Sequence, residues 1–240
     1  MADGDGPAAP PRWGVGDALV AFVAGTVLSI LAAGVAQSAT HQKPGGPTPV
    51  AVTVAALVGL WVGLAGGAVC ASRVRGSGSL AVDFGFEIRL PLDLALGAAV
   101  GLACQYALVP LLYWPFEQFD HGLRHRLESQ AKDLTRAAHG GAAVTVLVVF
   151  LAVGAPVVEE LFFRGLLLRS LQRRFGTVAG VLGSAALFGL AHFELLQLPA
   201  LILFGIVLAL LATRTGRLGP GIAAHAAFNA ATVLSLTLGR

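Results

Sequence analysis

The feature that most constrains this chain is a succession of long apolar stretches, each close to the roughly 20 residues that a helix needs to cross the hydrocarbon core of a bilayer. Seven are legible, at about 15–36, 49–71, 91–114, 141–166, 176–196, 198–213 and 219–238. They predict an all-α fold: a polytopic transmembrane helical bundle of about seven spans, within a range of six to eight. Only 12% of the residues are charged, about half the usual share of about 25% in a soluble domain. Such a chain cannot cover a water-facing surface, so lipid is the solvent for most of it. The 31 glycines fit helices that pack backbone to backbone in a membrane.

Three regions follow. Residues 1–14, rich in Pro, Gly and Ala, are expected to form a mobile arm. No basic segment followed by a cleavage site precedes the first apolar stretch, which therefore reads as a retained helix. Residues 15–140 hold the N-terminal spans and a polar connection, and 141–238 form the C-terminal unit. In the connection at 115–140, Phe116, Phe119, Leu123 and Leu127 recur at helical spacing among charges. That pattern predicts an amphipathic helix on the membrane surface. The Lys/Arg bias favours a cytoplasmic N-terminus, with Arg73, Arg75, Arg169, Arg173, Arg174, Arg214 and Arg217 inside; Arg124, Arg126, Lys132 and Arg136 dissent. The net charge of +3 reflects these loops and does not point to nucleic acid. Cys70 and Cys104 lie in apolar spans without metal spacing and read as small buried hydrophobes.

An ionisable group deep in a span costs about 2.5–3.5 kcal/mol on insertion scales and needs a reason to be there. Asp17 and Asp93 lie near span ends and are expected to reach the interface. The others concentrate in the C-terminal unit: Glu159, Glu160, Arg164, His192 and His225, with Asn229 beside them. Glu160 and Arg164 are four apart and stack on one helix face, as do Phe188 with His192 and His225 with Asn229. Glu159 is rotated by about 100° from Glu160 and is expected to point elsewhere. One carboxylate can then be held by Arg164 while its neighbour stays free for chemistry. Pro156, three residues before Glu159, is expected to open the backbone and admit water. Each residue alone has a bland reading: a structural ion pair for Glu160–Arg164, a satisfied core histidine for His192 or His225. The whole set is harder to dismiss.

These residue types suit a hydrolase acting on a carbonyl. A deep carboxylate serves as a general base, and a neutral imidazole beside it shares a water. A second histidine with an asparagine one turn away offers two donors for an oxyanion. No Ser or Cys nucleophile accompanies them, so water would attack directly. Zinc held by Glu159, His192 and His225 is the competing account, since two His and a carboxylate are an acceptable zinc set. The sequence has no H-E-x-x-H, and His192-Phe-Glu194 lacks the P-C-x-x-C of zinc deaminases. A proton-coupled transporter using the carboxylates as a relay is a rival class, weakened by the lack of an internal repeat.

At these residues the sequence resembles the CPBP family of CAAX proteases and bacteriocin-processing enzymes, also called the Abi family. Glu159-Glu160-Leu-Phe-Phe-Arg164 matches E-E-x-x-x-R, Phe188-Gly-Leu-Ala-His192 matches F-x-x-x-H, and His225-Ala-Ala-Phe-Asn229 matches H-x-x-x-N/D. Phe204-Gly205 and Thr215-Gly216 resemble the run between the last two motifs, while Arg217 stands where many relatives have Ser. The likeness covers about residues 140–235. It implies an intramembrane endopeptidase in which Glu159 and His192 activate water, Glu160 supports the site under the hold of Arg164, and His225 and Asn229 stabilise the oxyanion. A glutamic mechanism without a cofactor is favoured over a zinc one. The implied partners are the bilayer and a peptide or membrane-protein substrate, prenylated in the eukaryotic branch. The implied setting is the plasma membrane of a bacterium. A non-catalytic scaffold or bacteriocin-immunity protein is the alternative. Helix rise puts His192 about 24 Å and His225 about 9 Å from the same membrane face, so the fifth span is expected to be broken or displaced.

Overall fold

The computed structural model describes residues 11–40, 48–127, 129, 145–146 and 148–238, and these contain helices and no strand. The helices are α1 (Val15–Thr40), α2 (Val50–Arg75), α3 (Leu80–Phe84), α4 (Leu92–Glu117), α5 (150–175), α6 (Thr177–Leu190), α7 (Leu198–Thr215) and α8 (Gly219–Leu238). Among the described residues each of the seven predicted stretches contains helix, the fifth only as far as Leu190, but the count of seven spans is not confirmed. Four helices, α1, α2, α4 and α7, are by themselves long and apolar enough to cross a membrane. The other three are the helices of the site: α5 and α8 carry its polar residues, and α6 has only 14 residues. Large apolar side chains on α1 and α4, such as Val20, Ile30, Val35, Leu111 and Trp114, lie exposed on the outside of the bundle. A water-soluble protein rarely shows so much contiguous apolar surface, and lipid would cover it.

Two helix pairs frame the site, and small residues set both distances. In the α1–α2 hairpin, Gly25 of α1 faces Gly63 of α2, and Gly59 of α2 faces the backbone of Leu28 and Ser29. A Cβ at Gly59 would lie 2.5 Å from the carbonyl oxygen of Leu28, and one at Gly63 would overlap the backbone of Gly25. In the α4–α8 pair, Gly97 and Gly101 lie against Pro220, Ala223 and Ala224, so that a Cβ at Gly97 would come within 2.6 Å of the Pro220 carbonyl oxygen. Four-residue spacing puts each set of small residues on one face, where they let backbones approach closely. Cys104 is buried as expected, whereas Cys70 is exposed on α2.

One end of the bundle is tied by polar contacts between connectors. Asp93 does not reach the interface as expected. It has no exposed surface, pairs with Arg217 at 2.7 Å and accepts a hydrogen bond from the Arg89 amide at 2.7 Å. Arg217 thus supplies the counter-charge for an acid in the first turn of α4. Asp83 accepts from the Ser72 hydroxyl at 2.5 Å and the Ser77 amide at 3.0 Å. Burial alone would raise its carboxyl, but these bonds hold it below the ordinary value. The arm expected over 1–14 is docked at its end. Trp13 is buried, edge-on to Phe84 at 4.9 Å, with the Arg173 guanidinium 3.6 Å from its ring centre. Residues 1–10 of that arm lie outside the described residues.

The amphipathic helix expected over 115–140 falls partly outside the described residues. Within them, Phe116 and Phe119 are exposed at the end of α4 and in the turn after it, whereas Leu123 is buried near Tyr113 and Ala200 in a helical turn at 123–127.

The helix spacing gives a direct test. Gly63→Val should destabilise the protein by about 1–3 kcal/mol through overpacking. Gly66→Val, on the same helix with nothing within 4 Å of its Cβ position, should change unfolding in detergent by less than about 0.5 kcal/mol. Equal losses would mean that α1 and α2 are not in close backbone contact.

Candidate active site

The site is assembled on α5, on the end of α6 and on α8. Its centre is Arg164. This side chain has no exposed surface, yet its guanidinium donates to Glu160 Oε1 at 2.8 Å and to the Gly205 carbonyl at 3.3 Å. The ring of Phe188, also fully buried, lies under it with the centroid 4.3 Å from the guanidinium carbon. The predicted four-residue pairing on one helix face is therefore present. Gly221 leaves room for the carboxylate, because a Cβ there would stand 3.0 Å from Glu160 Oε2.

His225 links the two carboxylates. Its Nδ1 lies 3.1 Å from Glu160 Oε1, and its Nε2 lies 3.8 Å from Glu159 Oε2. With Glu160 ionised in its pair with Arg164, that carboxylate can only accept, so Nδ1 is the donor. Glu159 does not point elsewhere as expected. The rotation between neighbours on the helix instead delivers the two carboxylates to opposite nitrogens of one ring. Glu159 Oε2 is buried and has no hydrogen-bond partner, and the same holds for Glu160 Oε2; the two acids differ in that Glu160 Oε1 is hydrogen-bonded to Arg164 and His225. Phe188 and Phe204 both meet His225 edge-on, each with ring centres 5.6 Å apart, and hold the imidazole in place.

The backbone of α5 is unusual beside these acids. Residues 150–154 and 160–167 form wide turns in which the amide bonds five residues back, as in the bond from the Ala155 N–H to the Phe150 carbonyl. Wide turns of this kind recur at functional sites. The next amide in that register belongs to Pro156, which has no N–H. The Leu151 carbonyl is left without its backbone partner, and Asn229 Nδ2 supplies one at 2.8 Å. Pro156 thus fixes Asn229, a task that the sequence reading did not give it. Only one of the two amide hydrogens is used in this way.

His192 comes to the site because α6 is short. The helix ends at Leu190, and the chain turns through Phe193, whose φ is 55°. A helix end leaves its last carbonyls without amide partners. His192 Nδ1 takes up the Phe188 carbonyl oxygen at 2.7 Å, and its ring stands 4.7 Å from that of Phe188. Against a carbonyl, Nδ1 must be the donor, so a neutral ring keeps its lone pair on Nε2. The fifth span expected to be broken is an uninterrupted helix from Thr177 to Leu190 that ends short of the expected 196, with His192 in the turn beyond it. Both histidines touch Phe188, but no direct hydrogen bond joins Glu159 to His192. Among the described residues, no three His, Cys, Asp or Glu are grouped so as to hold a metal ion. Nδ1 of each histidine is committed, to Phe188 or to Glu160, and each Nε2 is left free.

Sequence reasoning missed Gly221, the Leu151 carbonyl and the Gly205 carbonyl. Pro156 was the available signal for Leu151, and the Phe204-Gly205 pair for the third. Gly221 has no signal beyond its place four residues before His225.

Buried carboxylates, a guanidinium and two histidines inside a bundle of apolar helices define an integral membrane protein with a hydrolase-like centre. Residues 141–231 match the family model described as type II CAAX prenyl endopeptidase, Rce1-like, a match that supports the CAAX-protease resemblance of this part of the chain. The matched segment contains every residue of the site. No curated protein and no solved structure is matched.

The role of Arg164 predicts that charge alone will not replace it. Arg164→Lys keeps a cation but cannot bond Glu160 and Gly205 together from one planar group while lying flat on Phe188. It should lose about 2 kcal/mol or more of stability, by the cost of leaving buried polar partners unpaired. Wild-type unfolding by the lysine variant in a detergent denaturation series would contradict this reading.

Proposed function

We propose that the protein is an intramembrane endopeptidase that cleaves a peptide or membrane-protein substrate with a water activated by Glu159 and His192. The contrast between the two acids carries this reading: among the described residues Glu160 Oε1 is hydrogen-bonded to both Arg164 and His225, whereas Oε2 of Glu159 has no hydrogen-bond partner and the Glu159 carboxylate has only the longer approach of His225. Its neighbour Glu160 is spent on Arg164 and His225, so Glu159 is the carboxylate left to act as base. Water gives one proton to Glu159, directs its other hydrogen to His192 Nε2, and attacks the carbonyl carbon of the scissile bond. The oxygen of the tetrahedral intermediate accepts from His225 Nε2–H and from the second amide hydrogen of Asn229. For this, His225 carries protons on both nitrogens, balanced by the carboxylates on its two sides. Collapse breaks the C–N bond, and the proton held by Glu159 passes to the leaving amine. Anchorage of Asn229 on Leu151 holds that donor in place before substrate arrives, the condition under which such donors are most effective.

The reaction as written runs on side chains alone, and a glutamic mechanism is favoured over a zinc one. That preference rests on the joint task it gives His225 and Asn229, one helical turn apart, as donors to a single oxygen. Arg12, Arg75, Arg173 and Arg214 lie at the end of the bundle that becomes cytoplasmic under the positive-inside rule.

Mass spectrometry of membrane peptides from cells with and without the protein tests the activity. A cleavage product should appear with the wild-type chain and disappear with Glu159→Gln, whose amide cannot take a proton from water. Equal products from the two proteins would remove Glu159 from the mechanism. A second expectation concerns metal. Purified protein should keep its activity in strong chelator and contain less than one equivalent of zinc. One equivalent of tightly bound zinc, with activity lost on its removal and restored on its return, would overturn the glutamic assignment.

A further inference from the structure

A groove runs between α1 and α5, and its two ends differ sharply in chemistry. At the end near the start of α1 lies an open cavity of about 460 Å³ whose walls include Arg12, Arg75, Arg173, Arg174, Asp17 and Ser170. Deeper along the same two helices lies a cavity of about 130 Å³, walled only by apolar side chains such as Leu19, Phe22, Phe163 and Leu167. Val15 borders both cavities, so the apolar floor begins where the basic end stops. The periodicity of both helices builds this continuity. Val15, Leu19 and Phe22 follow one face of α1, and Leu167, Ser170 and Arg174 follow one face of α5. From Val15 to Phe22 the groove deepens by about 10 Å along the helix axis.

Among the described residues, the basic end is not fully satisfied. Arg75 pairs with Asp17 at 3.2 Å, and Arg173 donates to the carbonyls of Pro11 and Trp13. Among the described residues, no carboxylate pairs with Arg12 or Arg174. Ser170 is 2% exposed, borders the cavity, and has a buried hydroxyl without a hydrogen-bond partner. A buried hydroxyl left alone costs free energy, and an anionic oxygen seated among the arginines would accept from it. An inorganic anion would satisfy this end alone. The apolar floor that starts at Val15 calls for a hydrocarbon chain attached to that anion.

We propose that the α1–α5 groove binds one anionic phospholipid, its phosphate among Arg12, Arg174 and Ser170 and one acyl chain along Leu19, Phe22 and Leu167. The site stands apart from the peptidase reading and uses none of its catalytic residues. Its floor nonetheless reaches Phe163, whose ring meets Phe188 edge-on at 5.2 Å, so a bound chain would brace the aromatic shell of the peptidase centre.

Native mass spectrometry of the delipidated, full-length protein in neutral detergent tests this. Phosphatidylglycerol should bind about tenfold or more tightly than phosphatidylcholine with the same acyl chains, at about 1 kcal/mol for each arginine near the headgroup. The double variant Arg12→Gln/Arg174→Gln should erase that preference, while Arg124→Gln, whose arginine pairs with Glu117, should keep it. Leu19→Trp, which narrows the apolar floor, should weaken phosphatidylglycerol binding without touching the arginines. Millimolar inorganic phosphate should not displace the lipid. Equal affinity for the two lipids, an unchanged preference in the double variant, unchanged binding to Leu19→Trp, or displacement by phosphate alone would each overturn the proposal.

Discussion

A guanidinium withdrawn entirely from solvent has to bring its counter-charge and its hydrogen-bond acceptors with it. Arg164 meets that demand with Glu160, the Gly205 carbonyl and the face of Phe188. Most of what surrounds the site follows from this one requirement. Gly221 is small because the Glu160 carboxylate fills the space a side chain would take. His225 is placed by its bond to the same carboxylate oxygen that receives Arg164. Phe163, Phe188 and Phe204 form an apolar shell around ring and guanidinium, which keeps water from competing for the pair. Removing one member of a buried pair costs about 3–5 kcal/mol, so these positions stand or fall together.

The helix geometry around that pair divides labour between adjacent acids. Neighbouring residues on a helix project in different directions, and His225 is placed to meet both, one at each nitrogen. Wide turns in α5 stand on both sides of the acids, and Pro156 leaves a carbonyl that Asn229 fills. A helix with regular bonding throughout would give Asn229 no such anchor. The early end of α6 does the equivalent for His192, whose ring caps a carbonyl that a longer helix would have used internally.

The helical stretches were legible because their apolar runs are long and uninterrupted, and the seven predicted ranges coincide with helices to within a few residues at most ends. The Glu160–Arg164 pair was legible because its four-residue spacing fixes a shared face. What the sequence hid was long-range. Asp93 reads as an interfacial residue from its place near a helix end, and only the fold brings Arg217 to it from 124 positions away. The convergence of Glu159 and Glu160 on one histidine depends on the approach of α8, which the periodicity of α5 does not encode. Trp13 reads as part of a loose arm until Phe84 and Arg173 enclose it. The fifth span was readable only in part, because its apolar run continues past Leu190, where the helix ends.

The account rests on Glu160 being structural and Glu159 being free for chemistry, and the unfolding free energies of the two single glutamine variants in detergent measure that division directly. Glu160→Gln leaves Arg164 buried without its paired charge and should lose about 3 kcal/mol. Glu159→Gln, which loses no hydrogen bond and only the longer approach to His225, should lose less, about 1 kcal/mol. Equal losses, or a larger loss at Glu159, would contradict the division of roles on which the site has been built.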